Sequence, residues 1–418
     1  MRRSGELLRR AVVPTLALIS AFFLGAILIV LTDFEHLQRL GSDPLAALTG
    51  AIGGVFDGYG AMFAGAIGDP GRILAAIQSG HSPDIANAIR PISETLLSAT
   101  PFIFVGLALA VSFRAGLFNL GADGQFLIGG FGTTMTALFL NGLLPPFVVL
   151  VVALAGGAAS GAAYGFVPGF LKVRTGAHEV ITTLMLNPIA PSLAFLVARS
   201  IEFRGGPAPL PKVPLIFDIP TIRLDYGFVA ALVVAAAVSF LLFRTTLGFE
   251  LRATGFSRSA ARGAGMRTGG ATMLAMSLSG GLIGLGSAFF ALGPASGIPG
   301  APTMDMGYVA LALALIAGLR PGGVVLLALL YGALNNGAKN MVIVAGLPLA
   351  LLVVIIAFAL MFVAAPGLIR SIWRVGPAAD AFAVARVSPR AGSGTRSRPR
   401  PGRPHGPTAA GGPRSGPS

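Results

Sequence analysis

Cysteine is absent from all 418 residues, which excludes disulfides and thiolate-bound metal centres. Charge is scarce too: only 11% of residues are Asp, Glu, Lys or Arg, against 54% hydrophobic and a mean hydropathy of +0.80. A chain so poor in charge cannot present the polar surface of a water-soluble domain. The four histidines, His36, His81, His178 and His405, are scattered, with no HExxH and no paired ligand spacing, so neither a metal nor another cofactor is expected. No G-x-x-x-x-G-K-[ST] loop occurs. The nearest stretch, GALNNGAKN from Gly332 to Asn340, lacks a Lys directly after its second Gly, so the chain is expected not to bind or hydrolyse ATP by itself. Convergent nucleophile and base groups, which an enzyme would need, are also not visible.

What the chain does contain is a succession of apolar runs, several exceeding the ~20 residues that cross a bilayer. The pattern predicts an all-α, polytopic membrane helical bundle. A cytoplasmic N-terminus, 1–11, precedes an uncleaved first transmembrane helix, 12–32, too long for the apolar core of a signal peptide. Residues 33–93 are expected to be mainly an extracytoplasmic or interfacial segment, whose Gly-rich stretch 45–66 either lies along the interface or packs on the bundle. The core, 94–366, is expected to hold helices near 94–113, 123–140, 147–170, 179–199, 228–243, 271–292, 307–319, 322–336 and 342–366, which makes about ten transmembrane helices.

Basic residues orient the bundle, because Lys and Arg concentrate in cytoplasmic loops. With the N-terminus inside, the cytoplasmic side receives Arg2, Arg3, Arg9 and Arg10, then Lys172 and Arg174, then the loop 244–270 with Arg244, Arg252, Arg258, Arg262 and Arg267. Both termini then face the cytoplasm. Arg39, Arg72, Arg90, Arg204, Lys212 and Arg223 fall on the other side. The last segment, 367–418, turns to Pro, Gly, Ser and Arg and is expected to form a basic, disordered cytoplasmic tail. It accounts for more than half of the net charge of +14, so the basic character describes a tail that fixes topology or meets anionic lipid or an acidic partner, and no nucleic-acid partner is expected.

Three polar interruptions carry the functional information. In RAGLFNLGADGQFLIGGF, residues 114–131, Asn119, Asp123 and Gln125 stand among glycines, and irregular polar backbone at membrane depth survives only when buried in protein or lining a water-filled path. In TGAHEVITTLMLN, residues 175–187, Glu179, Thr183 and Asn187 recur at i, i+4 and i+8 on one helix face. Such a face fits a pathway lining or a buried structural network. In RTTLGFELRATGFSRSAARGAGMR, residues 244–267, small residues alternate with Arg252, Arg258 and Arg262, and a short helix over 257–264 would expose the last two together. That segment suits either partner docking or a solvated connector. Gly157, Gly161 and Gly165 form a G-x-x-x-G-x-x-x-G run that predicts close helix packing.

Together, ATPFIFVGLALAVSFRAGLFNLGADGQFLIGGF, GAHEVITTLMLN and GFELRATGFSRSAARGAGM resemble the permease subunit of bacterial ATP-binding cassette importers, in the nucleoside and simple-sugar branch of the group that also serves branched-chain amino acids. The resemblance covers roughly residues 90–365. Asn119, Gly121, Asp123, Gly124 and Gln125 match the branch's NxGxEGQ-like signature, with Asp123 in place of Glu. Arg252, Ala253, Gly255, Ala260, Ala261 and Gly265 match its LRAxGxxxxAAxxxG coupling segment. The resemblance implies a separate ATPase subunit seated on Arg252, Gly255, Arg258, Ala260, Ala261, Arg262 and Gly265, and an extracytoplasmic substrate-binding lipoprotein. It also implies a second permease subunit, giving a heterodimeric core in the bacterial cytoplasmic membrane. The solute would be a nucleoside or simple sugar, and Asn119, Asp123, Gln125, Glu179, Thr183 and Asn187 would line or support its conduit. The alternative class, an ion-coupled secondary transporter, requires ionisable groups deep in the bundle, whereas Asp123, Glu179 and Asp305 fall near predicted helix ends.

Overall fold

Local signals in the chain start and stop its helices where the structure shows them. Asp43 accepts the Ala46 N–H at 3.1 Å, and Pro44 fills the first helical position, where no N–H is needed. Asp69 and Pro70 repeat the device, with the Gly71 N–H donating to Asp69 at 2.9 Å. Left-handed Gly176 and Gly346 close two later helices.

The computed structural model describes residues 2–33, 38, 41–200, 210–217, 219, 221–293 and 305–374. Among them the chain forms α1 (Arg2–Thr32), α2 (Pro44–Ile67), α3 (Pro70–Ser79), α4 (Ser82–Arg114), α5 (Ala122–Leu140), α6 (Pro146–Thr175), α7 (Glu179–Ser200) and α8 (Tyr226–Arg244). There follow α9 (Thr246–Phe256), α10 (Arg258–Gly263), α11 (Thr268–Leu292), α12 (Met306–Ile316), α13 (Pro321–Ala345), α14 (Leu349–Ala364) and α15 (Pro366–Trp373). No β-strand occurs among the described residues, so the fold is an all-α polytopic bundle.

Among the described residues, six helices are long and apolar enough to span a bilayer: α1 from Val12, then α4, α6, α7, α8 and α11. The bent pair α14 and α15 makes a seventh if counted as one span. The expected ten include segments that fall outside this set. α12 has only 11 residues, and α13 carries Asn335, Asn336 and Asn340 within its 25.

The helix α4 is the spine of the molecule. In its most apolar 18-residue stretch 78% of the residues are buried, and Ile103, Phe104, Leu107, Ala108 and Leu109 are fully enclosed. The helices α6 and α11 pack most extensively of all pairs, with Gly161 and Gly165 against Gly280 and Gly284. A Cβ on Gly165 would lie 2.6 Å from the Met276 carbonyl oxygen, so the glycine run permits a backbone approach that any side chain would block, as its spacing predicts. Because lipid tails are as apolar as leucine, such contacts, and not exclusion from water, hold these helices together.

The structure also revises several boundaries. The stretch near 45–66 packs on the bundle as α2: Asn336 donates to the Gly65 carbonyl at 2.7 Å, Asn340 to Ala61 at 2.6 Å and Thr95 to Ala66 at 2.7 Å. Asn336 and Asn340 of the GALNNGAKN stretch thus fasten α13 to its neighbours. The final expected span, 342–366, is interrupted at Gly346–Pro348, where Gly346 and Pro348 end α13 and start α14. Residues 367–373, expected in the tail, belong to α15, whose Trp373 indole donates to Ser20 at 2.9 Å. The loop 244–270 is largely helical, as α9 and α10. The tail beyond Arg374, and with it His405, lies outside the described residues, as do His36, Arg39 and Arg204.

Candidate functional site

The polar interruption after α4 begins with a helix cap. Gly116 adopts φ 71°, its N–H donates to Phe113 at 3.0 Å, and the Leu117 N–H reaches back to Ser112 at 3.0 Å, which satisfies the last carbonyls of α4. The chain then crosses to α5 through Asn119. This residue is 1% exposed, and its amide faces that of the fully enclosed Gln125. Asn119 Nδ2 donates to Gln125 Oε1 at 2.9 Å and Gln125 Nε2 donates back to Asn119 Oδ1 at 3.1 Å. Asn119 Nδ2 also donates to Ser279 of α11 at 3.0 Å, and the Gly121 N–H to Asn119 Oδ1 at 3.1 Å. Buried amides tolerate such a position only when paired this fully.

The face predicted on α7 meets the same interruption. The Leu120 N–H donates to Thr183 Oγ1 at 3.2 Å, and that hydroxyl donates to the Glu179 carbonyl at 2.7 Å. Asn187 takes the Gly124 N–H on Oδ1 at 3.0 Å and gives Nδ2 to the Leu120 carbonyl at 2.9 Å. Asn119, Gln125, Thr183 and Asn187 therefore form one network that replaces the backbone hydrogen bonds missing between α4 and α5. Glu179 and Asp123 stand apart from it. The Glu179 carboxylate pairs with Lys172 of α6, a residue that the sequence showed only as topology charge. Asp123 Oδ1 accepts the Gly307 N–H of α12 at 2.7 Å. Glu179 opens α7 and Asp123 is the second residue of α5, so both carboxylates lie at helix ends, as expected.

An open cavity of about 1000 Å³ lies elsewhere, among α2, α3, α4 and α13, with Asp57, Asp69, Arg72, Asn87 and Asn340 on its walls. None of the six predicted pathway residues is part of that lining.

The basic segment folds back on the interruption. Thr245 caps α9 through the Gly248 N–H at 3.1 Å, and Ser257 caps α10 through the Ala260 N–H at 3.3 Å. A Cβ on Gly255 would fall 2.7 Å from the Ala115 carbonyl carbon and from the Gly116 nitrogen, so only glycine lets α9 seat against the α4 cap. Gly265 has φ 81° and closes α10, with the Met266 N–H on the Ala261 carbonyl at 3.0 Å. These contacts explain physically why two glycines stand in that pattern. Ala261 is buried and Ala260 exposed, as are Arg258 and Arg262, although Arg258 Nη2 comes within 3.4 Å of the Thr272 hydroxyl. Arg252 donates to Gly248 at 3.3 Å and lies over the Phe243 ring at 5.3 Å. Phe256, which sequence reasoning missed, is 80% exposed between the two short helices. An aromatic among small residues carries no periodic signal, so only the fold reveals it.

Helical spans, a polar hinge buried between them and a short basic helix pair define the membrane component of a transport system. Residues 92–365 match the family described as branched-chain amino acid transport system / permease component, and the chain belongs to that family. It is 36% identical to the guanosine ABC transporter permease protein NupP of Bacillus subtilis, over 71% of this chain and 88% of that protein. It is 28% identical to the nucleoside ABC transporter permease protein NupB of Lactococcus lactis, over 85% and 91%. It is also 28% identical to the glucose ABC transporter permease protein TsgB13 of Haloferax volcanii, over 69% and 80%. No solved structure matches the chain significantly. The protein is a multi-pass permease subunit of an ABC transporter, without its own ATPase site, and works with an ATPase and a substrate-binding partner.

Proposed function

We propose that this chain imports a nucleoside across the bacterial cytoplasmic membrane as one half of a heterodimeric permease core, with both termini cytoplasmic. An extracytoplasmic substrate-binding lipoprotein delivers the solute, and the ATPase docks on residues 248–267. The names of NupP and NupB support the nucleoside, while TsgB13 keeps a sugar as the alternative solute. A second, different permease chain and the lipoprotein follow from the sequence resemblance to that branch. Asn119, Gln125, Thr183 and Asn187, with Asp123 and Glu179, then support the conduit wall.

The observation that carries the docking assignment is Phe256. An aromatic side chain 80% exposed, flanked by exposed Arg258 and Arg262 on small-residue helices, has the make-up of an interface anchor with charged rim groups. Arginines forming charge-assisted contacts in an interface contribute about 1.5 to 3 kcal/mol each. The same arginines in a solvated loop contribute almost nothing.

The test uses the complete importer in cells, with labelled guanosine as solute. Wild-type protein should take up guanosine without competition from glucose. The double variant Arg258→Ala with Arg262→Ala should be made normally yet lose the ATPase on purification and transport little. Retention of the ATPase at wild-type level would make the segment a mere connector, and competition by glucose would move the reading to sugars.

A further inference from the structure

Helix α12 is too short to cross a bilayer: its 11 residues rise about 16 Å, roughly half of the hydrocarbon thickness. Its own N-cap, Asp305, has φ 82° and makes no side-chain cap hydrogen bond. The cap comes from another element, since Asp123 Oδ1 accepts the Gly307 N–H at 2.7 Å. At the other end, Gly318 and Leu319 turn through left-handed conformations, φ 62° and 56°, the second strained for a leucine. The carbonyls exposed by this turn are taken by Arg114, whose Nε donates to Leu319 at 2.7 Å and whose Nη2 donates to Gly318 at 3.3 Å. Arg114 and Asp123 both belong to the polar interruption, so that one stretch of ten residues within it grips α12 at both of its termini.

The same stretch touches the basic segment. Arg114 lies 4.9 Å from the centre of the Phe243 ring, which Arg252 also approaches, and Gly116 is in backbone contact with Gly255, where a Cβ on Gly116 would sit 2.9 Å from the Gly255 Cα. Tightly packed backbone transmits displacement where a loose contact would absorb it.

We propose that Arg114 and Asp123 are coupling residues, a two-point clamp that makes α12 move with the α4–α5 interruption when the ATPase displaces α9 through the Gly116–Gly255 contact. The inference rests on the docking reading above. It assigns a task to a short apolar helix that cannot serve as a span and to an arginine whose fork otherwise has no role in transport. Arg114 and Asp123 act here as positioning groups; neither needs to touch the solute.

The test measures ATP hydrolysed per guanosine transported by the complete importer in vesicles, normalised to assembled complex. Asp123→Ala removes the cap and should keep the ATPase bound and hydrolysing while the ratio rises on the order of tenfold, the population change that one charge-assisted hydrogen bond can bias. Asp123→Asn keeps an acceptor oxygen for the Gly307 N–H and should restore coupling. Arg114→Lys retains the charge without the fork and should raise the ratio as well.

A wild-type ratio in Asp123→Ala or in Arg114→Lys overturns the clamp. So does an Asp123→Asn protein as defective as Asp123→Ala, because the carboxylate charge and not the cap would then matter. If Asp123→Ala fails to assemble, Arg114→Lys decides by the same ratio. Loss of the ATPase from the Arg258 and Arg262 variants is read by co-purification, so failure of the docking reading is distinguishable from failure of the clamp.

Discussion

At the scale of single residues, polarity in this chain marks places where backbone hydrogen bonding is interrupted. Asn119, Gln125, Thr183 and Asn187 were visible in the sequence as polar residues among apolar runs, but the partners that tie their network to other helices are 63 to 160 positions away and could not be read from spacing. Asp225 escaped notice, being an ordinary helix-capping residue by type. It is 2% exposed and caps α8 through the Gly227 N–H at 3.0 Å, and burial pushes its carboxyl from the ordinary 3.8 up to about 6. The folded protein therefore holds the Asp225 proton more tightly than the unfolded chain does. This contribution to stability is complete below pH 3.8, declines as pH rises towards 6 and is lost above it. Asp225→Asn keeps the cap acceptor without the charge. Thermal unfolding of the purified protein should show the variant more stable than wild type at pH 7.5, by about 3 kcal/mol, and equal to it near pH 4. A pH-independent difference would assign the effect to packing.

At the scale of elements, the strongly apolar helices were legible and the glycine-rich or amphipathic ones were not. The expectation of a helix over 123–140 matches α5 at Ala122–Leu140, because an apolar run bounded by Gly-Ala-Asp and Asn-Gly has clear ends. By contrast α2 has glycines and Asp57 inside it, and it is held to the bundle through carbonyls that accept from Asn336 and Asn340. The short α15 was hidden because it turns 88° from α14 within two residues. Its Ile369 is fully buried, whereas Leu368, Ile372 and Trp373 are exposed, an apolar face beside basic Arg370 and Arg374 that suits the bilayer interface. Trp373 is the single tryptophan, so its emission reports this helix alone. In vesicles, lipids brominated near the headgroup should quench it more than lipids brominated at the chain ends. Stronger quenching from the chain ends would place α15 within the hydrocarbon.

At the scale of the whole molecule, the described chain closes on itself before the basic tail begins. The final described helix is tied to the first by the Trp373–Ser20 hydrogen bond, and α1 also packs along α14. The residues after Arg374 have the composition of a segment unable to offset its ordering entropy by burial. Truncation after Arg374 should therefore leave the amount of assembled importer and its solute uptake within about twofold of wild type, as expected for a segment of that composition. A large loss of assembled complex, with the remaining complex fully active, would assign the tail a docking role.

Composition, periodicity and motif spacing alone determined the membrane class, the all-α architecture, the absence of a Walker-type ATP-binding loop and the places of the three polar interruptions. Those properties follow from solvent partitioning and helix period, which are local and additive along the chain. Which residues meet was decided only by tertiary structure. The cap on α12 comes from Asp123, 184 residues away, and the carbonyls after α12 are held by Arg114, 204 and 205 residues away. Such pairs depend on how whole helices pack, through glycine contacts such as Gly161 with Gly280, and no periodic pattern in one segment encodes its partner in another.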